Sequence, residues 1–200
     1  MKKSIGILAI GVMALASTAV LAKDESKVSA VGLLGYYMPA EKSVKDLYGS
    51  GIVYGGGVSY AYSEQICIVG ALDYWKGSGE IAAVTGTSSG TWTYTPKTDC
   101  SLSIMPITCN VIYNIPVQKS AFAPYVGGGI GYYLAKSEVG SKNESKGAVG
   151  FQVLGGCLYP VSPNLSIAAV TRYSVATVDF GGGDTKIGGL TIGGGVAYSF

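Results

Sequence analysis

The sequence predicts an all-β chain folded as a closed, antiparallel, up-and-down transmembrane β-barrel of about eight strands. Three observations predict it. Side-chain size alternates with a period of two over segments longer than average soluble strands, the connections between them alternate between short and long, and the composition is apolar without a helix to carry it across a bilayer. Of 200 residues, 48% are hydrophobic and only 13% charged, with 31 Gly and 15 Tyr beside four Phe, two Trp and no His. The mean hydropathy of +0.36 is high for a soluble domain.

Residues 1–22 read as a secretory signal peptide and 23–200 as the barrel domain. Met1, Lys2 and Lys3 form a basic start, an apolar stretch runs from about Ile5 to Leu21, and Val20-Leu21-Ala22 resembles a small-residue cleavage site. The competing reading is a retained anchor, because the apolar run nearly reaches the roughly 20 residues of a spanning helix. No Cys follows the cleavage site, so lipid modification there is not expected. The whole chain has 14 basic and 12 acidic residues; Lys2 and Lys3 belong to the leader, so the mature part carries 12 of each and no net charge. That argues against nucleic acid as a partner, which would want a basic face. No later apolar run of 18 or more residues lacks turn signals, so no transmembrane helix is expected in the mature chain.

The segments fall near 28–38, 51–63, 66–76, 100–113, 122–136, 147–159, 165–178 and 187–200. Most approach or exceed the roughly 9 to 11 residues of a tilted membrane strand, against about 5 to 6 for a soluble one. In the second, Ile52, Tyr54, Gly56, Val58, Tyr60 and Tyr62 share one face and Val53, Gly55, Gly57, Ser59 and Ala61 the other. In the third, Cys67, Val69, Ala71, Asp73 and Trp75 make the smaller, inward face. The fourth contains Pro106, which predicts a bulge. The fifth carries GGGIG and the last GGGVAY; neither opens a helix with the residues of a phosphate loop, and both read as strand glycines where neighbours need room. In the seventh, Leu165, Ile167, Ala169, Tyr173 and Val175 oppose Ser166, Ala168, Arg172 and Ser174. In the last, Leu190, Ile192, Val196, Tyr198 and Phe200 oppose Thr191, Gly193, Gly195, Ala197 and Ser199. The small face carries too little polarity for a solvated surface, so it lines a narrow lumen and the bulky face meets lipid. A soluble sandwich or lipocalin-like barrel would put the large residues inside.

The shorter connections are 63–65, 114–121 and 160–164; 39–50, 77–99, 136–146 and 179–186 are mostly longer and carry most of the charge, as extracellular loops do. Segment 77–99, with IAAVT and TWTYT flanking GTSSG, is expected to extend as an outward hairpin and to be the feature an extracellular partner would touch. Tyr62, Tyr113, Phe122, Tyr159, Tyr198 and Phe200 gather on the short-turn side. Tyr36, Tyr37, Tyr54, Tyr74, Trp75, Tyr132, Tyr133 and Tyr173 gather on the loop side, giving two interfacial girdles. A closed barrel must pair its last strand with its first, so a chain ending on Phe200 is expected to be held to its final residue.

Together SLSIMPITCNVIYNIP, FAPYVGGGIGYYLA, NLSIAAVTRYSV and GLTIGGGVAYSF resemble the small outer-membrane β-barrel domain proteins of Gram-negative bacteria, of the OmpA-type transmembrane shape. The resemblance implies an outer-membrane location in outer-membrane lipid. It also implies a terminal aromatic, with Tyr198 and Phe200 as periplasmic girdle and assembly signal, read by the barrel-assembly machinery. The peptidoglycan-binding domain of full-length OmpA-type proteins has no counterpart, so cell-wall tethering is not implied.

Barrel enzymes of lipid A deacylation, omptin proteolysis and phospholipid cleavage look to His for acid–base work, and this chain has none. No enzyme activity, cofactor or metal is therefore expected. Cys67, Cys100, Cys109 and Cys157 form no CxxC; antiparallel pairing sets Cys67 opposite about Ile112, out of disulfide reach of Cys109, so separate thiols are expected. Asp73 and Arg172 are the charges inside strands, both on the small face, and they are expected to form a luminal ion pair or polar network at mid-depth. The functional reading is a structural or surface-interaction barrel with extracellular loops; the alternative is a small transport or binding barrel for a limited solute, apolar ones included.

Overall fold

The structure is a computed structural model that describes residues 27–81, 84–86, 92–94, 97–117, 121–140, 142–179 and 183–200. The expected leader lies outside them. Eight long strands form the wall: β1 (Val28–Pro39), β2 (Gly51–Ala61), β3 (Ile66–Ile81), β6 (Thr98–Asn114), β7 (Ala123–Val139), β8 (Lys142–Ser162), β9 (Leu165–Val175) and β12 (Gly189–Ser199). Four short ones make two hairpins, β4 (Val84–Gly86) with β5 (Trp92–Tyr94), and β10 (Thr177–Asp179) with β11 (Asp184–Lys186). One short helix, α1 (Lys42–Tyr48), follows β1.

Every long strand pairs antiparallel with its neighbours in the chain, and β1 pairs with β12, so the barrel closes in the order β1-β12-β9-β8-β7-β6-β3-β2. The seam runs from Ser29↔Ser199 to Pro39↔Gly189. It holds to the last residue: the Ser29 and Ser199 hydroxyls lie 2.9 Å apart, Asn164 Nδ2 donates to the Ser199 carbonyl at 2.9 Å, and the Phe200 N–H donates to Val28 O at 3.4 Å. A bilayer offers no water to unpaired backbone, so this closure removes the edge that would otherwise exclude the sheet from lipid.

The period-two pattern becomes the two faces of the wall. Leu34, Ile52, Ile130, Val149, Phe151 and Ile192 stand exposed outside, while Val53, Trp75, Ile104 and Tyr133 are buried inside. From Tyr62 to Ile52, ten residues at about 3.3 Å and a tilt of about 40° rise roughly 25 Å, the height of an outer-membrane apolar band. Tyr62, Tyr113, Phe122, Tyr159 and Tyr198 are exposed at the short-turn end, and Tyr36, Tyr54, Tyr132 and Tyr173 at the other.

Four expectations are corrected. Tyr37, Trp75 and Tyr133 are not girdle residues; each is buried in the lumen, because each follows an outward aromatic and a strand turns consecutive side chains to opposite faces. Pro106 makes no bulge: β6 keeps one register with β7 from Cys100↔Val139 to Asn114↔Tyr125. Toward β3 the ladder passes from Leu72↔Ile107 to Trp75↔Ile104, so the missing proline N–H costs only the pairs between. The register shift lies instead between Pro160 and Ser162, where β8 meets the turn to β9. Finally, 136–146 is not a loop but the continuation of β7 and β8, paired from Lys136↔Ser145 to Val139↔Lys142, and 39–50 contains α1. The outward extension of 77–99 is present as the ends of β3 and β6, with Val84↔Tyr94 to Gly86↔Trp92 beyond them.

Candidate functional site

Asp73 on β3 and Arg172 on β9 are four strands apart by either route around the barrel. Both point inward, and Arg172 Nη1 donates to Asp73 Oδ2 at 2.5 Å with the two residues 8% and 1% exposed. The contact is direct across the lumen. A long guanidinium stem reaching from one wall to a short carboxylate on the other fits a barrel of this size, whose interior is just wide enough for side chains. Gly55 lies beside the carboxylate: a Cβ there would overlap Asp73 Oδ1.

A second polar chain crosses at the same depth from residues the sequence reading did not single out. Tyr133 Oη donates to Gln152 Oε1 at 3.1 Å, Gln152 Nε2 to Asn110 Oδ1 at 2.6 Å, and Asn110 Nδ2 to Thr108 Oγ1 at 3.2 Å. Their signal was available: Gln152 and Asn110 are single amides within apolar strands and share the parity of the small face. Gly129 leaves the space that Asn110 occupies.

Above this polar layer the lumen is filled. Tyr37, Val53, Trp75, Leu102, Ile104 and Tyr133 meet there, with the Tyr37 and Trp75 rings edge-on at 5.0 Å and 64°. The roof comes from the connections at the end opposite the short turns: α1 contributes Val44, and the β10–β11 hairpin with its flanks contributes Ala176, Val178 and Ile187. Tyr37 Oη donates to Ile187 O at 2.7 Å and Ala40 N–H to Gly188 O at 3.0 Å, fastening that hairpin to the end of β1. Only about 20 Å³ of space remains between the plug and Arg172, roughly one water's worth.

Below the polar layer the lumen is open. A chamber of about 280 Å³ has Asp73, Arg172, Asn110 and Gln152 as its roof and Leu33, Val69, Ile112, Leu154 and Val170 on its walls. It reaches Ser29, Ser59, Asn114, Ser166 and Ser199 at the short-turn end. Cys67 also lines it and accepts from Asn114 Nδ2 at 3.5 Å. Cys67 pairs with Ile112 as expected, and all four cysteines are free: Cys67 and Cys100 on the luminal face, Cys109 and Cys157 on the outer one. Tyr198 and Phe200 pack edge to face at 5.4 Å on the short-turn rim. At the opposite rim, hydrogen bonds from Lys136 and Ser101 hold the Glu138 carboxyl below its usual range.

A closed eight-stranded wall with a lipid-facing apolar band, two tyrosine girdles and polar hairpins at one end defines an integral outer-membrane barrel. The family described as outer membrane protein beta-barrel domain matches residues 5–200, and the chain belongs to it. It is therefore a protein of the Gram-negative outer membrane. Among solved structures it is similar to Neisserial surface protein A (NspA), with 19% identity, a TM-score of 0.59, and 86% of this chain and 96% of that one covered. It is also similar to OprG of Pseudomonas aeruginosa, with 14% identity, a TM-score of 0.58, and 88% and 97% covered. The N-terminal β-barrel domain of OprF of Pseudomonas aeruginosa gives 16% identity, a TM-score of 0.52, and 88% and 100% covered. At such identities the likeness is one of fold. No curated protein matches.

Proposed function

We propose that this protein acts through the surface it presents outside the cell, on a barrel whose lumen is held shut. The observation that carries the reading is the apolar plug: Trp75 and Tyr133 are each 2% exposed, and the roof over them is built from the extracellular connections themselves. A solute-conducting role would need a continuous polar path, and the polar layer around Asp73 and Arg172 ends against packed aromatic rings. On this reading the ion pair and the Tyr133–Gln152–Asn110 chain are a packing device that fixes the strands at mid-depth. The β4–β5 hairpin and the outer ends of β7 and β8 are the parts available to an extracellular partner, since rigid scaffolds carry interactions on their projecting segments. Tyr198 and Phe200 serve as periplasmic girdle and assembly signal. The absence of histidine from the whole sequence supports a non-enzymatic role. Planar-bilayer recording of the purified protein tests the reading: silence is the expected outcome, and reproducible channels would replace it with the transport alternative.

A further inference from the structure

We propose that the chamber beneath the plug is a dead-end binding site, entered from the periplasm, for a small neutral amphiphile. Such a ligand has an apolar body and a head group that both donates and accepts hydrogen bonds. Three observations lead there. The chamber is large: a dry, apolar cavity of about 150 Å³ takes benzene, so about 280 Å³ accommodates roughly ten non-hydrogen atoms. Its chemistry is divided along its axis, with aliphatic walls below and a roof of buried polar groups above. Its charge is balanced: among the described residues Asp73 and Arg172 are the only charged ones lining it, and they form an ion pair.

The balance selects the ligand class. An ionised head group entering the chamber would leave a net charge buried against aliphatic side chains, which is costly unless a counter-charge is free, and both charges here are already engaged. A neutral head such as a carboxamide meets no such penalty, and the roof offers both donors and acceptors in the guanidinium, the carboxylate and the two amides. The direction of entry follows from the fold. The plug and its extracellular roof close the far end, whereas the chamber runs to the serines at the short-turn end of β1, β2, β9 and β12.

Octanamide, about ten non-hydrogen atoms, is the probe, with octanoate as its charged counterpart. With the protein in phospholipid nanodiscs, octanamide is expected to shift the Arg172 Nε–H NMR signal saturably, and octanoate to bind at least about tenfold more weakly. Leu154→Trp, which fills the chamber, should abolish the shift while the barrel still shows heat-modifiable migration. Should that variant not fold, a second measurement decides. In protein with Cys100, Cys109 and Cys157 replaced by Ala and reconstituted in vesicles, a membrane-impermeant thiol reagent should modify Cys67 from the periplasmic face only, and octanamide should slow it. No saturable shift, a shift that survives chamber filling, equal binding of octanoate, or modification of Cys67 from the extracellular face would each overturn the proposal.

Discussion

At the scale of single residues, the Asp73–Arg172 contact is the most exacting interaction in the lumen. Removing one partner of a buried pair leaves an uncompensated charge, typically at about 3–5 kcal/mol, whereas replacing both by apolar groups is often neutral. Asp73→Asn and Arg172→Met are therefore each expected to destabilise the barrel by about that amount, and Asp73→Leu with Arg172→Met together by much less. Urea unfolding in detergent or vesicles, followed through tryptophan fluorescence, measures all of them; additive losses would show that the two groups do not act as a pair. Glycine provides the complementary case. A Cβ at Gly129 would overlap Asn110 Oδ1 and the Cys109 carbonyl, so Gly129→Ala must break the Gln152–Asn110 hydrogen bond or push the strands apart. A loss of about 1–3 kcal/mol is expected in the same assay, the cost of a buried polar group left without its partner. Both charges and their shared face were legible in the sequence, because a charge inside a membrane strand has few places to point. The aromatic plug was misread because its rings were sorted by height along the strands without applying parity. Tyr36-Tyr37, Tyr74-Trp75 and Tyr132-Tyr133 are adjacent pairs, and period two obliges one member of each to face the lumen.

At the scale of elements, the pattern that carried the reading is also what limited it. Alternation of bulky and small residues exists only where one face meets lipid, so the eight wall strands were legible within a few residues while their continuations above the membrane were not. In 136–146 both faces meet water and both are polar, yet the backbone ladder continues to Val139↔Lys142 before turning at Gly140, a residue with φ 58°. Pro106 was given too much weight because a proline removes one donor, and β6 tolerates that loss without changing register. Helix α1 escaped notice because its seven residues leave a weak helical period; Val44 is its only buried side chain, and Gly49 with φ 74° follows it. Its seat is set from below by small residues of β3, where a Cβ at Gly79 would overlap the Leu47 carbonyl and one at Gly77 would meet Tyr48 O at 2.6 Å. Gly79→Val is therefore expected to lift α1 while the wall stays closed. Trypsin added outside intact cells should cut after Lys42 or Lys45 about tenfold faster than in the parent, as ~1.4 kcal/mol of lost docking would give, with heat-modifiable migration unchanged. Equal cleavage rates would mean that the helix is held by something other than this close approach.

At the scale of the whole molecule, closure and plugging are separate achievements that can be perturbed separately. The wall is closed by backbone pairing around the full circle, including the β1–β12 seam. The plug is a side-chain assembly, in which Trp75 packs against Tyr37 and Tyr133 takes part both in the apolar layer and in the hydrogen bond to Gln152. Truncating two of these rings should empty the upper lumen and join the periplasmic chamber to the extracellular side, without opening any strand edge. Each large aromatic removed costs about 3–5 kcal/mol where a core cannot collapse, and a barrel wall held by its ladder has little freedom to do so. Trp75→Ala with Tyr133→Ala is thus expected to give a folded but less stable barrel that conducts small ions, from a parent that is silent in planar bilayers. A double-alanine variant that folds and stays silent would place the seal at the roof of α1 and β10–β11 rather than at the rings. Deleting the roof would then be the change that opens the lumen.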